Sequence, residues 1–155
     1  MWLESVAEHK SGFHSDKVSP LPAETESRRS VFVIFTSGFR TLKALEEAGR
    51  LAGQIGGHIV IVAAQVVPYI LPLNEPPVSM QFILERFSEI IARSHVDASI
   101  AVYACRNRLE ALKKILTPGT PVLIGVNRGW WPAGDIRLAR NLRRAGYAVL
   151  TVETE

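Results

Sequence analysis

The stretch VFVIFTSGFRTLKALEEAGRLAGQIGGHIVIVAAQV, Val31 to Val66, decides the fold. It opens with VFVIF (31–35), where apolar, mostly β-branched or aromatic residues follow one another without polar alternation. Such a run suits a strand covered on both faces. Leu42, Leu45, Ala48, Ala52 and Ile55 then recur at helical spacing, and a GlyGly pair at 56–57 stops the pattern. HIVIVAAQV (58–66) is a second covered run. Two such strands joined by a helix read as a parallel crossover unit.

The alternation continues to the end of the chain. SIAVYA (99–104), PVLIGV (121–126) and YAVLTV (147–152) supply three more apolar runs. Between the runs, Met80, Ile83, Leu84, Phe87, Ile90 and Ile91 mark one helical face. Leu109, Leu112, Ile115 and Leu116 mark the next, and Ile136, Ala139 and Leu142 the last. ThrProGlyThrPro at 117–121 and Gly146 close the third and fourth patterns. Five strands separated by four helices predict an α/β fold: an open five-stranded parallel doubly wound sheet, order 3-2-1-4-5, with helices on both faces. Ligand space is then expected above the carboxyl ends of the first and fourth of these strands, where the order reverses. ThrSerGlyPheArgThr (36–41) and GVNRGWWPAGD (125–135) border it.

The chain has 155 residues, 47% of them hydrophobic, which suits one globular domain. Residues 1–30 are polar and rich in breakers, as in SPLPAETES, so a flexible N-terminal extension is expected before a domain at 31–155. A short docking helix through Trp2, Leu3 and Val6 is the less favoured reading of that extension, because so short a segment seldom holds a helix alone. No apolar run approaches the roughly 18 residues of a membrane span. MWLESVAEHK carries an acidic residue where a secretory signal is basic and then apolar, so a cytoplasmic protein without membrane contact is expected. Cys105 is the only cysteine, which excludes an intramolecular disulfide and a thiolate zinc cluster. Arg106 and Arg108 beside it would lower its pKa, but a small buried thiol is the commoner role.

The net charge of +3 is concentrated late in the chain, where Arg128, Arg137, Arg140, Arg143 and Arg144 face Asp135 alone. An anionic partner would suit that cluster, yet three of those arginines end a helix, where cations complement the dipole. No nucleic-acid reading motif accompanies them, so nucleic acid is not an expected partner. His9, His14, His58 and His95 lie apart from any nucleophile or carboxylate in sequence, so no catalytic constellation and no metal site is expected.

Three segments, VFVIFTSGFRTLKALEEAGRLA, PVLIGVNRG and ARNLRRAGYAVLTV, resemble the universal stress proteins over about residues 31 to 153. They are similar to that family's first strand and helix, its fourth strand with the start of its glycine loop, and its last helix and strand. The resemblance implies a stress-response or regulatory module that pairs as a homodimer through the last strand, here Val149, Leu150, Thr151 and Val152. An apolar edge strand left unpaired is an aggregation liability, which favours the same pairing.

Family members that bind ATP carry a loop of the form G-x2-G-x9-G-[ST], whose backbone N–H groups hold the phosphates. Here three residues, not two, separate Gly125 from Gly129, Asp135 falls at the third glycine and Ile136 at the hydroxyl. A carboxylate at a helix N-terminus fills the electrostatic niche of a phosphate and repels one. Thr36 replaces the aspartate that closes the family's first strand. The chain is therefore similar to the branch that lacks the glycine motif, and a non-enzymatic module with no cofactor is expected.

Two alternatives stay open. A nucleotide-responsive regulator binding ATP or AMP, with slow ATPase activity at most, would use a degenerate loop at 125–137. Its site residues would be Thr36, Ser37, Gly38, Gly125, Asn127, Arg128 and Gly129, with Arg128 pairing with a phosphate. A flavodoxin-like FMN protein would use the hydroxyls of Thr36, Ser37 and Thr41, and stack Trp130 and Trp131 on the flavin, although its spacing does not match. A pyrophosphatase-type SerGlyGly loop fails at Phe39, and a phosphoacceptor receiver domain fails because Thr36, Ser37, Cys105 and Arg106 stand where acids are needed. Trp130, Trp131 and PYILPLNEPP (68–77), long for a strand-to-helix loop, also suit a protein partner.

Overall fold

A computed structural model describes residues 3–10, 30–75, 78–127, 129 and 134–154. The apolar runs form strands β2 (Ser30–Ile34), β3 (His58–Val66), β4 (Ala98–Cys105), β5 (Pro121–Asn127) and β6 (Ala148–Thr154). Helices α1 (Gly38–Ile55), α2 (Met80–Ser94), α3 (Arg108–Ile115) and α4 (Gly134–Arg144) alternate with them. The five strands run parallel in the order β4-β3-β2-β5-β6, the expected doubly wound arrangement.

One more strand precedes them. Leu3–Lys10 forms β1 and pairs antiparallel with β4, from Leu3 opposite Cys105 to Lys10 opposite Ser99, with a register shift between Ser5 and Ala7. This part of the N-terminal segment is therefore attached to the sheet, neither the flexible tail nor the docking helix expected from its composition. Its polar sequence suits an antiparallel edge, where covering both faces is not required. Residues 11–29 lie outside the described residues.

The period of two along each strand sorts the core into two layers. Phe32, Ile34, Val60, Val62, Val122 and Ile124 face α3 and α4, meeting Leu112, Ile115, Leu138 and Leu142. Val31, Val33, Ile59, Ile61, Ile100 and Leu123 face α1 and α2, meeting Ala44, Leu45, Ala48, Phe87 and Ile91. Every residue of β2 and β4 is buried, which is why their sequences show no polar alternation. In α1 the buried stripe is Thr41, Ala44, Leu45, Ala48 and Ala52, while Ile55 is exposed, so the face turns slightly from the one read at Leu42 and Ile55. The helix stops at Gly56, whose φ of 62° is the left-handed conformation a glycine adopts without Cβ strain. Asn107 caps α3 by accepting from the Glu110 N–H, and Ser79 caps α2 by accepting from the Phe82 N–H.

Gly125 sits inside β5 and has a packing reason to be glycine. A Cβ there would lie 2.7 Å from the carbonyl carbon of Arg40 and 2.8 Å from its Cβ, and closer still to its carbonyl oxygen. Because two of those atoms are backbone, the contact cannot relax by a side-chain turn. Gly125→Ala is expected to destabilise the fold by about 2–3 kcal/mol, the scale of overpacking in a close-packed core. Urea unfolding followed by circular dichroism checks this, and Gly53→Ala, where an added Cβ meets nothing within 4 Å, is the matched control.

Candidate functional site: an occupied anion niche beside an apolar cleft

The space above the carboxyl ends of β2 and β5 is where an open α/β sheet binds its ligands. The loop that leaves β2 is closed by its own hydroxyls. The Thr36 N–H donates to Thr41 Oγ1 at 3.2 Å, and Thr36 Oγ1 donates to the Gly125 carbonyl at 3.2 Å. Thr41 is fully buried, and its N–H donates to the Ser37 carbonyl. Thr36 and Thr41 thus spend their hydrogen-bonding capacity on the turn from β2 into α1. Ser37 stands at the N-cap without a side-chain capping bond, and Gly38 opens the helix.

Asp135 lies in the first turn of α4, the place a phosphate would take at a helix N-terminus. Its Oδ2 accepts from Arg40 Nη1 at 2.5 Å, and Arg108 Nη1 stands 3.8 Å from its Oδ1. The carboxylate is the most enclosed of the three, with 14% of its side chain exposed, against 28% for Arg40 and 30% for Arg108. Arg108 also donates from Nη2 to the Phe35 carbonyl at 2.7 Å. Burial pushes the Arg108 guanidinium below its ordinary pKa, an effect opposed first by Asp135 and then by Cys105. The arrangement ties the starts of α1, α3 and α4 together through one internal anion.

The expected site residues therefore separate. Thr36 and Gly125 are joined, but by a bond between themselves and by helix packing. Asn127 is exposed at the end of β5, where it pairs with Thr154 in register, and Gly129 is exposed beyond it. Arg128, Trp130 and Trp131 lie outside the described residues. Asp135 is expected from sequence at a helix start, but its partners are not legible there. Arg40 is 95 positions away, and no local pattern connects the two.

Next to this polar cluster is a cleft of about 460 Å³. Ala63, Ala64 and Val66 of β3 lie on one side, and Phe82, Ile83 and Phe87 of α2 on the other. Phe35 meets Phe87 edge-on, with centroids 4.5 Å apart. Gln65, Arg86 and Arg108 supply polar groups to the lining. Arg108 Nε and Gln65 Oε1 are buried with no hydrogen-bond partner, a condition worth about 1–3 kcal/mol per atom when it persists.

Beyond β3 the chain is clamped by Arg106. Arg106 Nη1 donates to the carbonyls of Val67 and Pro68, and its Nη2 donates to that of Leu71. The guanidinium also lies over the Tyr69 ring, 5.1 Å from its centroid. Tyr69 and Ile70 stand 85% and 90% exposed on this clamped loop. At the opposite edge of the sheet, Val149 is buried, Thr151 and Val152 are half-buried and Leu150 is exposed, so of the four residues expected at a dimer interface Leu150 points outward most fully. Arg143 of α4 already engages this strand, donating from Nε to the Val149 carbonyl at 3.1 Å.

Among the described residues no group of His, Cys, Asp and Glu has the arrangement of a metal site, and no helix is long and apolar enough to cross a membrane. No protein-family model and no curated protein matches the chain. Among solved structures it is similar to the crystal structure of a protein from the universal stress protein family from Burkholderia pseudomallei. The match has 18% identity and a TM-score of 0.48, and covers 84% of this chain and 98% of that one. The fold assignment rests on the chain's own strand order and not on this likeness.

Cys105 closes β4 as a buried thiol whose Sγ donates to the Gln65 carbonyl at 3.5 Å. Burial raises its pKa, and Arg108 only partly opposes that rise. The proton is therefore held more tightly in the folded chain than in the unfolded one. That stabilisation is complete below the unfolded thiol value, roughly 8.5, and is lost as pH climbs through the folded value. Folding stability is expected to fall with pH above that point, with a shallower slope in Cys105→Ala. A thiol-disulfide reagent should label the native thiol at least about tenfold more slowly than the urea-unfolded one.

Proposed function

We propose that the chain is a non-enzymatic, universal stress protein-like regulatory module that works as a homodimer and does not bind ATP. The observation that carries this reading is Asp135, held between Arg40 and Arg108 at the N-terminus of α4. An incoming phosphate would meet a fixed carboxylate, and both nearby guanidiniums are already paired with it. Of the hydroxyls that would otherwise greet a nucleotide, those of Thr36 and Thr41 are engaged in closing the β2–α1 loop. The family part of the reading is supported by the strand order and by the resemblance of the segments at 31–52, 121–129 and 139–152.

Titration calorimetry with Mg-ATP and AMP tests the first part. Silence up to millimolar nucleotide is expected, and micromolar binding would overturn the reading. Asp135→Asn leaves Arg40 and Arg108 without their counter-ion. It should cost about 2 kcal/mol of stability, the scale of a charged hydrogen bond discounted for partial exposure. The same substitution should give the protein a measurable affinity for inorganic phosphate that the parent lacks.

The dimer is supported by the position of β6, which pairs only with β5 among the described strands, and by Leu150, 51% exposed upon it. Two copies related by a two-fold axis would bring this strand against itself. Light scattering at micromolar concentration should report a dimer, and Leu150→Lys should return it to monomer while leaving the melting temperature of the fold nearly unchanged. Val149→Lys is not a clean test, because Val149 belongs to the core shared with α3 and α4.

A further inference from the structure

The cleft between β3 and α2 is unused by the reading above, and its surroundings are unusual for a surface. Val66, Val78 and Phe82, all on its lining, are between 40% and 54% exposed. Exposed apolar side chains gathered on the lining of one cleft mark a binding site more often than a bare surface. Its volume, about 460 Å³, lies within the range of small-molecule sites, and it opens at the carboxyl ends of the parallel strands.

The charge of the lining selects the head group. Arg86 and Arg108 both contribute to it, and none of its lining residues is acidic. Arg108 is balanced by Asp135, whereas Arg86 pairs among the described residues with Glu89, 3.8 Å away, with both side chains more than 60% exposed. An ion pair that open is weak and exchanges readily with a better partner.

We infer that this cleft is a binding site for a small carboxylic acid with an apolar body: the body lies against Phe35, Phe82 and Phe87, and the carboxylate pairs with Arg86. One weakly paired guanidinium suits a singly charged head group. The inference goes beyond the proposed function and holds whether or not the chain dimerises.

Calorimetric titration of the full chain with octanoate, 1-octanol and octylammonium, which share a body and differ in head group, tests it. Octanoate is expected to bind at one per chain with a submillimolar Kd, at least about tenfold tighter than octylammonium, a ratio set by exchanging attraction for repulsion at one guanidinium. Arg86→Glu should weaken octanoate by about tenfold and move 1-octanol by less than twofold. Val66→Trp, which fills the cleft from its rim, should weaken both. Arg86 is exposed, so its variant is expected to melt with the parent, and Arg86→Gln gives the same comparison without charge reversal. Equal or tighter binding of octylammonium, octanoate affinity untouched in both Arg86 variants, or no binding of any of the three at millimolar concentration would overturn the assignment. So would one octanoate per two chains, which would place the ligand at an interface between copies.

Discussion

The backbone of β5 passes the first turn of α1 so closely at Gly125 that no side chain fits between them. Much of the upper end of the sheet follows from that approach. It places Arg40, at the contact itself, where its guanidinium reaches Asp135 across 95 residues of sequence. It also puts the Gly125 carbonyl within reach of the Thr36 hydroxyl, which shuts the turn leaving β2. A glycine at this position would be read from sequence as a phosphate-cradling residue. Here the missing Cβ admits a helix.

The two halves of the switch-point region consequently differ in character. On the β5 side, charges are paired and partly enclosed, and the dipole of α4 is satisfied by the protein's own carboxylate. On the β3 side, the strand ends are lined by small and aromatic residues and remain open as a cleft. Arg108 joins the two, since it faces Asp135, holds the Phe35 carbonyl and lines the cleft. Its partial burial is tolerable because Asp135 offsets part of the desolvation.

The edges of the sheet are managed in opposite ways. β1 lies along the edge of β4, whose residues are buried throughout. β6 keeps an outer edge, touched by Arg143 at the Val149 carbonyl and presenting Leu150 to solvent. Engagement of a strand by a long charged side chain is one of the devices that discourage indiscriminate pairing, and it leaves a side-chain surface as the place for a specific contact.

The sequence by itself determined the five parallel strands, the four helices between them and the order of the sheet. The strands and helices depend on local period, which apolar runs and glycine stops express directly, and right-handed crossovers between them limit the order to few arrangements. It also placed a carboxylate, Asp135, at the start of the last helix, where its charge complements the dipole in any fold. Only the tertiary structure decided that Leu3–Lys10 is a strand, since an antiparallel edge needs no apolar pattern and takes its stability from the neighbour it finds. Only the tertiary structure, too, assembled Arg40, Arg108 and Asp135, and opened a cleft between β3 and α2. Contacts between residues far apart in sequence are set by how helices pack on the twisted sheet, and no short window of residues carries that information.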